Sequence, residues 1–283
     1  MIKLEKTEVV GWEPAIRGMR NPMNSWEKSD SQMSTIAIDE GWSWIGPNDH
    51  DLMMRLAKGG PVHAKYRRMI MVYVDITAPL YWWKEFDTYK VGTVANSCST
   101  MHKIHSKEFT REDFSCERLM DNCGLEFEFV GDDSNVHMVD IGFDDVLDVT
   151  IQALNWARQL YLETGEKCYW EQMIQLLPSS YNQKRTVMMS YEVLVGIYRD
   201  RKNHKLKEWH DLCDWIEGLP YSEVITGHKD GTPVDSPVSY KYSASINGQL
   251  IEGYTTAGEN ATDDEIRRAI LDTVCEGLSY EKN

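Results

Sequence analysis

No apolar run approaches the roughly 20 residues that a membrane-spanning helix needs. Cations are scarce. Lys plus Arg number 30 against 45 Asp plus Glu, a formal charge of −15. That balance argues against non-specific binding to nucleic acid or to an anionic membrane, since both need a basic face. It leaves room for a local basic pocket around one nucleotide. No CxxC pair occurs, and the 6 cysteines (98, 116, 123, 168, 213 and 275) are scattered. A zinc site is not expected, and the thiols are expected to be reduced, as in a cytoplasmic protein. The N-terminal MIKLEKTEVVGWEP lacks the apolar core of a signal peptide, which gives the same expectation. Internal repeats and low-complexity linkers are also missing.

Aromatics are plentiful, with 10 Trp and 14 Tyr in 283 residues. Such side chains give large contact areas, most often in cores and between subunits, and some can stack on a planar ring. The length suits one large domain or two small ones.

The most informative stretch is 72–103. Val72 to Ile76 alternates β-branched and polar residues, as a half-buried strand does. Ala78 to Tyr89 reads as a helix, with Trp82, Phe86 and Tyr89 on one face. Lys90 to Lys103 is small and polar, with Gly92, Asn96, Cys98, Ser99 and Thr100 in a predicted loop. Backbone N–H groups in such a run can approach an anion. A surface loop is the plainer reading.

Elsewhere, Ile2 to Val10 reads as a strand, and Arg17 to Asn24 as a Gly/Pro/Asn-rich loop. Its two arginines, Arg17 and Arg20, can meet a phosphate or stay solvated. A helix is expected from Pro47, capped by Asn48 or Asp49, with Leu52, Met53 and Leu56 as its apolar stripe. Gly59-Gly60-Pro61 ends it, ahead of His63. Glu126 to Val130 and Val136 to Ile141 read as a hairpin. Asp144 to Glu163 reads as an amphipathic helix, with Val146, Val149, Ala153, Trp156, Ala157 and Leu160 at helical spacing. A helix from Cys168 to Leu177 follows. After Pro178 a long helix is predicted, with Val187, Tyr191, Leu194 and Tyr198 on one face. It ends in the cationic Arg199 and Arg201. Arg201 can grip a phosphate with two parallel hydrogen bonds, or simply answer the helix C-terminal dipole. Another helix spans Lys207 to Ile216. A second hairpin (Val238 to Ile246 with Gln249 to Tyr254) and a helix from Thr262 to about Cys275 close the chain.

The order of these elements resembles the flavin-dependent thymidylate synthase family. Its signature is Arg-His-Arg, seven residues, then Ser, after a strand and an Ala-Pro. Ala78-Pro79 sets the register. The triplet falls on Thr88-Tyr89-Lys90, a family Gly on Gly92 and the Ser on Cys98, with Ser99 one position away. After Leu-Pro the family carries Asn-x-Arg-Ser-Leu and then a phosphate-binding Arg. Counting from Pro178, these fall on Ser190, Glu192, Leu194 and Arg201. Two of the three cations of the triplet are therefore replaced, and Ser by Cys.

The resemblance implies an α+β fold with a central antiparallel sheet and long helices, plus an extra C-terminal hairpin and helix. It spans about residues 50–216, with an insertion at about 104–143, and implies a domain of residues 1–216 followed by an extension at 217–283. It implies methylation of dUMP to dTMP with FAD, NADPH and methylenetetrahydrofolate, in a cytoplasmic homotetramer that binds neither nucleic acid nor membrane. The implied substrate-binding residues are Arg201, Arg199, Lys90, Cys98 and Ser99. Those toward the cofactor are His63, Thr88, Tyr89, Asn96 and Ser190. No catalytic nucleophile and no metal are implied. Two alternatives stand beside it: a nucleotide-binding or assembly relative that has lost flavin, and a flavin-dependent transferase acting on another pyrimidine nucleotide.

Overall fold

The computed structural model describes residues 2–33, 43–121, 124–130, 136–227, 238–246 and 249–257. In chain order the elements begin with β1 (Lys3–Val10), α1 (Trp12–Arg20), β2 (Gln32–Met33), β3 (Ser43–Trp44) and α2 (Pro47–Lys58). Then come β4 (Met71–Pro79), α3 (Leu80–Phe86), β5 (Thr93–Ser97), β6 (Gly124–Val130), β7 (Val136–Gly142), α4 (Phe143–Thr164) and α5 (Lys167–Leu176). The last are β8 (Asn182–Ser190), α6 (Tyr191–Arg201), α7 (Lys207–Glu217), α8 (Glu223–Thr226), β9 (Val238–Ile246) and β10 (Gln249–Ala257). They form two compact units, residues 1–10 with 70–215 and residues 11–69 with 216–283.

The first unit is built on an antiparallel sheet ordered β1-β4-β8-β5. In β4 the side chains of Val72, Val74, Ile76 and Ala78 are all buried, two residues apart. A strand sends alternate side chains to one face, and here that face carries the β-branched residues. Val74 lies opposite Val187 and Val72 opposite Met189, so each register pair joins two buried apolar groups. Pro79 ends the strand, and α3 starts directly after it. A separate cluster seats α4 on α5 and on the segment 104–114, through Leu147, Ile151, Leu154, Met173, Phe109 and Phe114.

Several sequence expectations change here. Residues 182–190 are strand, and the helix starts only at Tyr191. The 187, 191, 194, 198 spacing imitates one helical face, whereas burial of Gln183, Val187 and Met189 follows a period of two. The small polar run is β5 over Thr93–Ser97, hydrogen-bonded along β8 rather than looped. Residues 17–20 belong to α1, not to a loop. Neither Asn48 nor Asp49 caps α2. Asp30 does so instead, its carboxylate accepting from both of their backbone N–H groups. In α4 the buried stripe is Leu147, Ile151, Leu154 and Ala157, while Val146, Val149 and Trp156 are exposed. Both stripes have helical spacing, and the one that meets α5 is the one buried.

Both hairpins form where expected, with β6 starting two residues earlier, at Gly124, β7 ending one residue later, at Gly142, and β10 running three residues further, to Ala257. The expected turns at Gly131 to Asn135, Asp230-Gly231 and Asn247-Gly248 lie outside the described residues, as does the helix at 262–275.

In the second unit, Asp49 at the start of α2 is fully buried. Its carboxylate accepts from Arg20 Nε at 2.5 Å, the Ser29 and Ser31 hydroxyls, and the backbone N–H groups of Asp30 and Ser31. Burial alone would push this carboxyl up. The hydrogen bonds from Ser31, Ser29 and Arg20 outweigh it and hold the group below the ordinary carboxylate value. Among the described residues no helix is long and apolar enough to cross a membrane.

Candidate functional site

The site grows from α3, whose sequence LYWWKEF places one carboxylate among aromatics. Trp82, Trp83 and Phe86 are buried. Trp82 stacks on Phe86 with centroids 5.0 Å apart and lies 4.8 Å from Trp209 of α7. This aromatic contact joins α3 to α7. It also leaves Glu85, one residue before Phe86, within reach of three donors.

Arg201, the last residue of α6, donates from Nη1 to Glu85 Oε2 at 2.7 Å and from Nε to the Tyr89 hydroxyl at 2.9 Å. Trp209 Nε1 donates to the same Glu85 oxygen at 3.0 Å, and His204 Nε2 lies 3.4 Å from it. The guanidinium carbon sits 4.4 Å over the Trp209 ring and 5.5 Å from the centre of the Tyr89 ring. Arg201 is thus fixed in direction by a charge partner, a phenol and an indole face. Its side chain stays 17% exposed and that of Glu85 36%, so water and solutes reach the pair. Nη2 makes no hydrogen bond among the described residues.

Thr88, next in line, is exposed and its hydroxyl donates to the Glu85 carbonyl. Lys90 is also exposed. Gly92 adopts φ +80°, a conformation that disfavours side chains. A Cβ there would lie 3.0 Å from Val193 and 4.0 Å from Ser190 Oγ. This close approach brings the turn after α3 against the start of α6. Ser190 is buried, and its hydroxyl accepts from the Val193 N–H as the cap of α6.

The residues further along follow β5. Asn96 is exposed and faces Thr186 in register. The Cys98 N–H donates to the Lys184 carbonyl and its own carbonyl accepts from Gln183 Nε2. Ser99 Oγ accepts from the N–H groups of Met101 and His102, which closes a turn. Thr93 to Cys98 covers about 17 Å of extended chain. Asn96, Cys98 and Ser99 make no hydrogen bond to the Arg201 node among the described residues. Arg199 is solvated and paired with Asp200. His63 belongs to the second unit, in the turn after α2, where its N–H donates to the Gly60 carbonyl.

Glu85, Trp209 and His204 had not been singled out from the sequence. The one signal was a lone carboxylate in a helix otherwise rich in aromatics. Its partners lie more than 100 residues away.

Chemically, the node is an oriented, partly exposed guanidinium with a carboxylate already on it. Such a group can take an anion through its open nitrogen, or exchange the carboxylate for a stronger bidentate acceptor.

The fold is that of the flavin-dependent thymidylate synthases. One structure with this fold is flavin-dependent thymidylate synthase ThyX from Helicobacter pylori complexed with FAD and dUMP. It aligns with a TM-score of 0.52 at 16% identity, over 78% of this chain and 97% of that one. A second structure of Helicobacter pylori Thymidylate Synthase X with FAD and dUMP aligns at 0.53 and 16%, over 80% and 97%. No protein-family model and no curated protein matches the sequence.

Proposed function

We propose that this chain binds dUMP or a closely similar pyrimidine nucleotide beside FAD and methylates the base. Methylenetetrahydrofolate would donate the carbon and NADPH the electrons. The observation that carries the reading is the Arg201–Tyr89 hydrogen bond. It joins, within one unit, the two segments that the resemblance links to a single nucleotide site. Both known structures compared above hold FAD and dUMP in the same fold.

In this reading the nucleotide phosphate meets Arg201 Nη2 and competes with Glu85 for Nη1. Tyr89 holds the guanidinium in plane while that exchange occurs, and Lys90 adds a point charge from solvent. The open polar edge of β5, with Asn96, Cys98 and Ser99, offers hydrogen-bonding groups to the flavin or the nucleotide. The hydroxyls of Ser190 and Thr88 are already committed to backbone groups, so these two residues shape the site rather than grip a ligand. A bound flavin supplies hydride transfer, so no protein nucleophile is required. Ligand binding is assigned to residues 1–216, and no role to 217–283. The exposed stripe of Val146, Val149 and Trp156 on α4 supports assembly of several copies, a homotetramer in the family. A cytoplasmic location is part of the same proposal.

One observation favours a second reading, a nucleotide-binding relative without flavin. Thr88 and Tyr89 stand where the family has cations, and Tyr89 spends its hydroxyl on Arg201. The visible spectrum of purified protein separates the two. Flavin absorbance that resists dialysis supports the first. Colourless protein that binds dUMP and takes up no added FAD overturns it. Tritium release from C5 of labelled dUMP, with and without the folate, then tests the chemistry.

A further inference from the structure

The second unit holds a cavity of about 200 Å³ that the nucleotide reading does not use. It lies against α1 and the turns after it, and Glu13, Ile16, Arg17, Arg20, Trp26, Ser29 and Ser31 line it. Arg17 and Arg20 are three residues apart and so share one face of α1. Arg20 is only 3% exposed. Its Nε is spent on Asp49, and its Nη1 on the Ser25 carbonyl and hydroxyl. Its Nη2 is buried and has no hydrogen-bond partner among the described residues.

A buried guanidinium nitrogen left without an acceptor is costly, and Arg20 is one of the residues that line this cavity. Asp49 does not meet the need: it takes Nε through Oδ1, and its Oδ2 already accepts from four further donors. Arg17 adds a second guanidinium, 65% exposed and held only loosely by Glu13 at 3.6 Å. Trp26 and Ile16 supply an apolar wall. Trp26 is tethered by its indole N–H to Asn21 Oδ1 at 2.8 Å.

We propose that this cavity is a binding site for a small oxyanion, a phosphate monoester or a carboxylate on a compact apolar body. The anion takes Arg20 Nη2 as its inner donor and Arg17 as its outer one, and the body lies against Trp26. The inference does not depend on the nucleotide reading, since no residue is shared with the Arg201 node.

Trp26 provides the readout. Full-length protein is titrated with inorganic phosphate, phenyl phosphate and benzoate while tryptophan fluorescence is followed. The expected result is a saturable change with at least one probe, at a dissociation constant on the order of 1 mM. Arg17→Gln should weaken it about tenfold. Trp26→Phe should remove the optical signal while calorimetry still detects binding, and Arg201→Ala should leave both intact. A preference for phenyl phosphate over benzoate identifies a phosphate monoester, and the reverse a carboxylate. The proposal is overturned by no saturable response to any probe at about 10 mM, by equal affinity in Arg17→Gln, or by loss of the response in Arg201→Ala. Arg20 itself is left unsubstituted, because its pair with Asp49 supports folding.

Discussion

Two guanidinium–carboxylate pairs in this chain use the same chemistry for opposite ends. Arg20–Asp49 in the second unit is sealed, with side chains 4% and 0% exposed. Arg201–Glu85 in the first unit is open, at 17% and 36%. Asp49 is saturated by serine hydroxyls and backbone N–H groups besides its arginine. Glu85 shares a single oxygen, Oε2, among Arg201, Trp209 and His204. Burial raises the cost of breaking a pair, and solvent lowers it. The first pair therefore acts as a staple, and the second can be exchanged for a ligand.

The largest expected effect comes from breaking the sealed pair. Asp49→Ala strands a buried guanidinium and should lower unfolding free energy by about 3–5 kcal/mol in urea melts. Glu85→Gln should cost about 1 kcal/mol or less in the same assay. Equal losses would erase the contrast between staple and exchangeable anchor.

Next in size is Arg201→Ala. It should weaken dUMP binding by about 1.5–3 kcal/mol, the loss of a charge-assisted bond, as read by calorimetry. An unchanged dissociation constant would take Arg201 out of the nucleotide site.

Acid sharpens the comparison further. The Asp49 carboxyl titrates below its ordinary value of 3.8 in the folded state, despite burial, because Ser31, Ser29 and Arg20 bond its charged form. A group with a lowered folded value binds more protons when unfolded. Its contribution is complete above the ordinary value and is lost as pH falls through the folded one. Wild-type stability should thus decline below pH 3.8, and that part of the decline should be missing in Asp49→Asn. Identical acid slopes would refute the assignment.

The smallest effect is a gain. Glu85→Gln removes the charge that competes for Arg201, so dUMP should bind up to about tenfold more tightly. Weaker binding would instead make Glu85 a positioning residue for the arginine.

Legibility differed between these regions for physical reasons. β4, α2 and the hairpin strands carry their own period, so local pattern sufficed. Around β8 two periods compete: Val187, Tyr191, Leu194 and Tyr198 fit a helix, while the β-branched Thr186-Val187 and the capping Ser190 mark a strand that turns helical at Tyr191. In α4, two apolar stripes share one helix, and periodicity cannot say which is covered. A spaced motif singled out Arg201, which the structure bonds to Glu85 and Tyr89. Glu85 was not, because a carboxylate gains meaning only from what lies across from it.

The amino-acid order alone settled which segments are strand-like or helix-like wherever one period dominates. It also settled that the chain is acidic, and that a cationic helix end follows the second motif. Only tertiary packing decided that Arg201 is aimed by Tyr89 and Trp209, that Arg20 is sealed onto Asp49 with one nitrogen to spare, and which face of α4 stays bare. Periodicity arises from backbone geometry and acts over a few residues. Pairing of charges and choice of buried face depend on neighbours brought from across the chain, which no local pattern encodes.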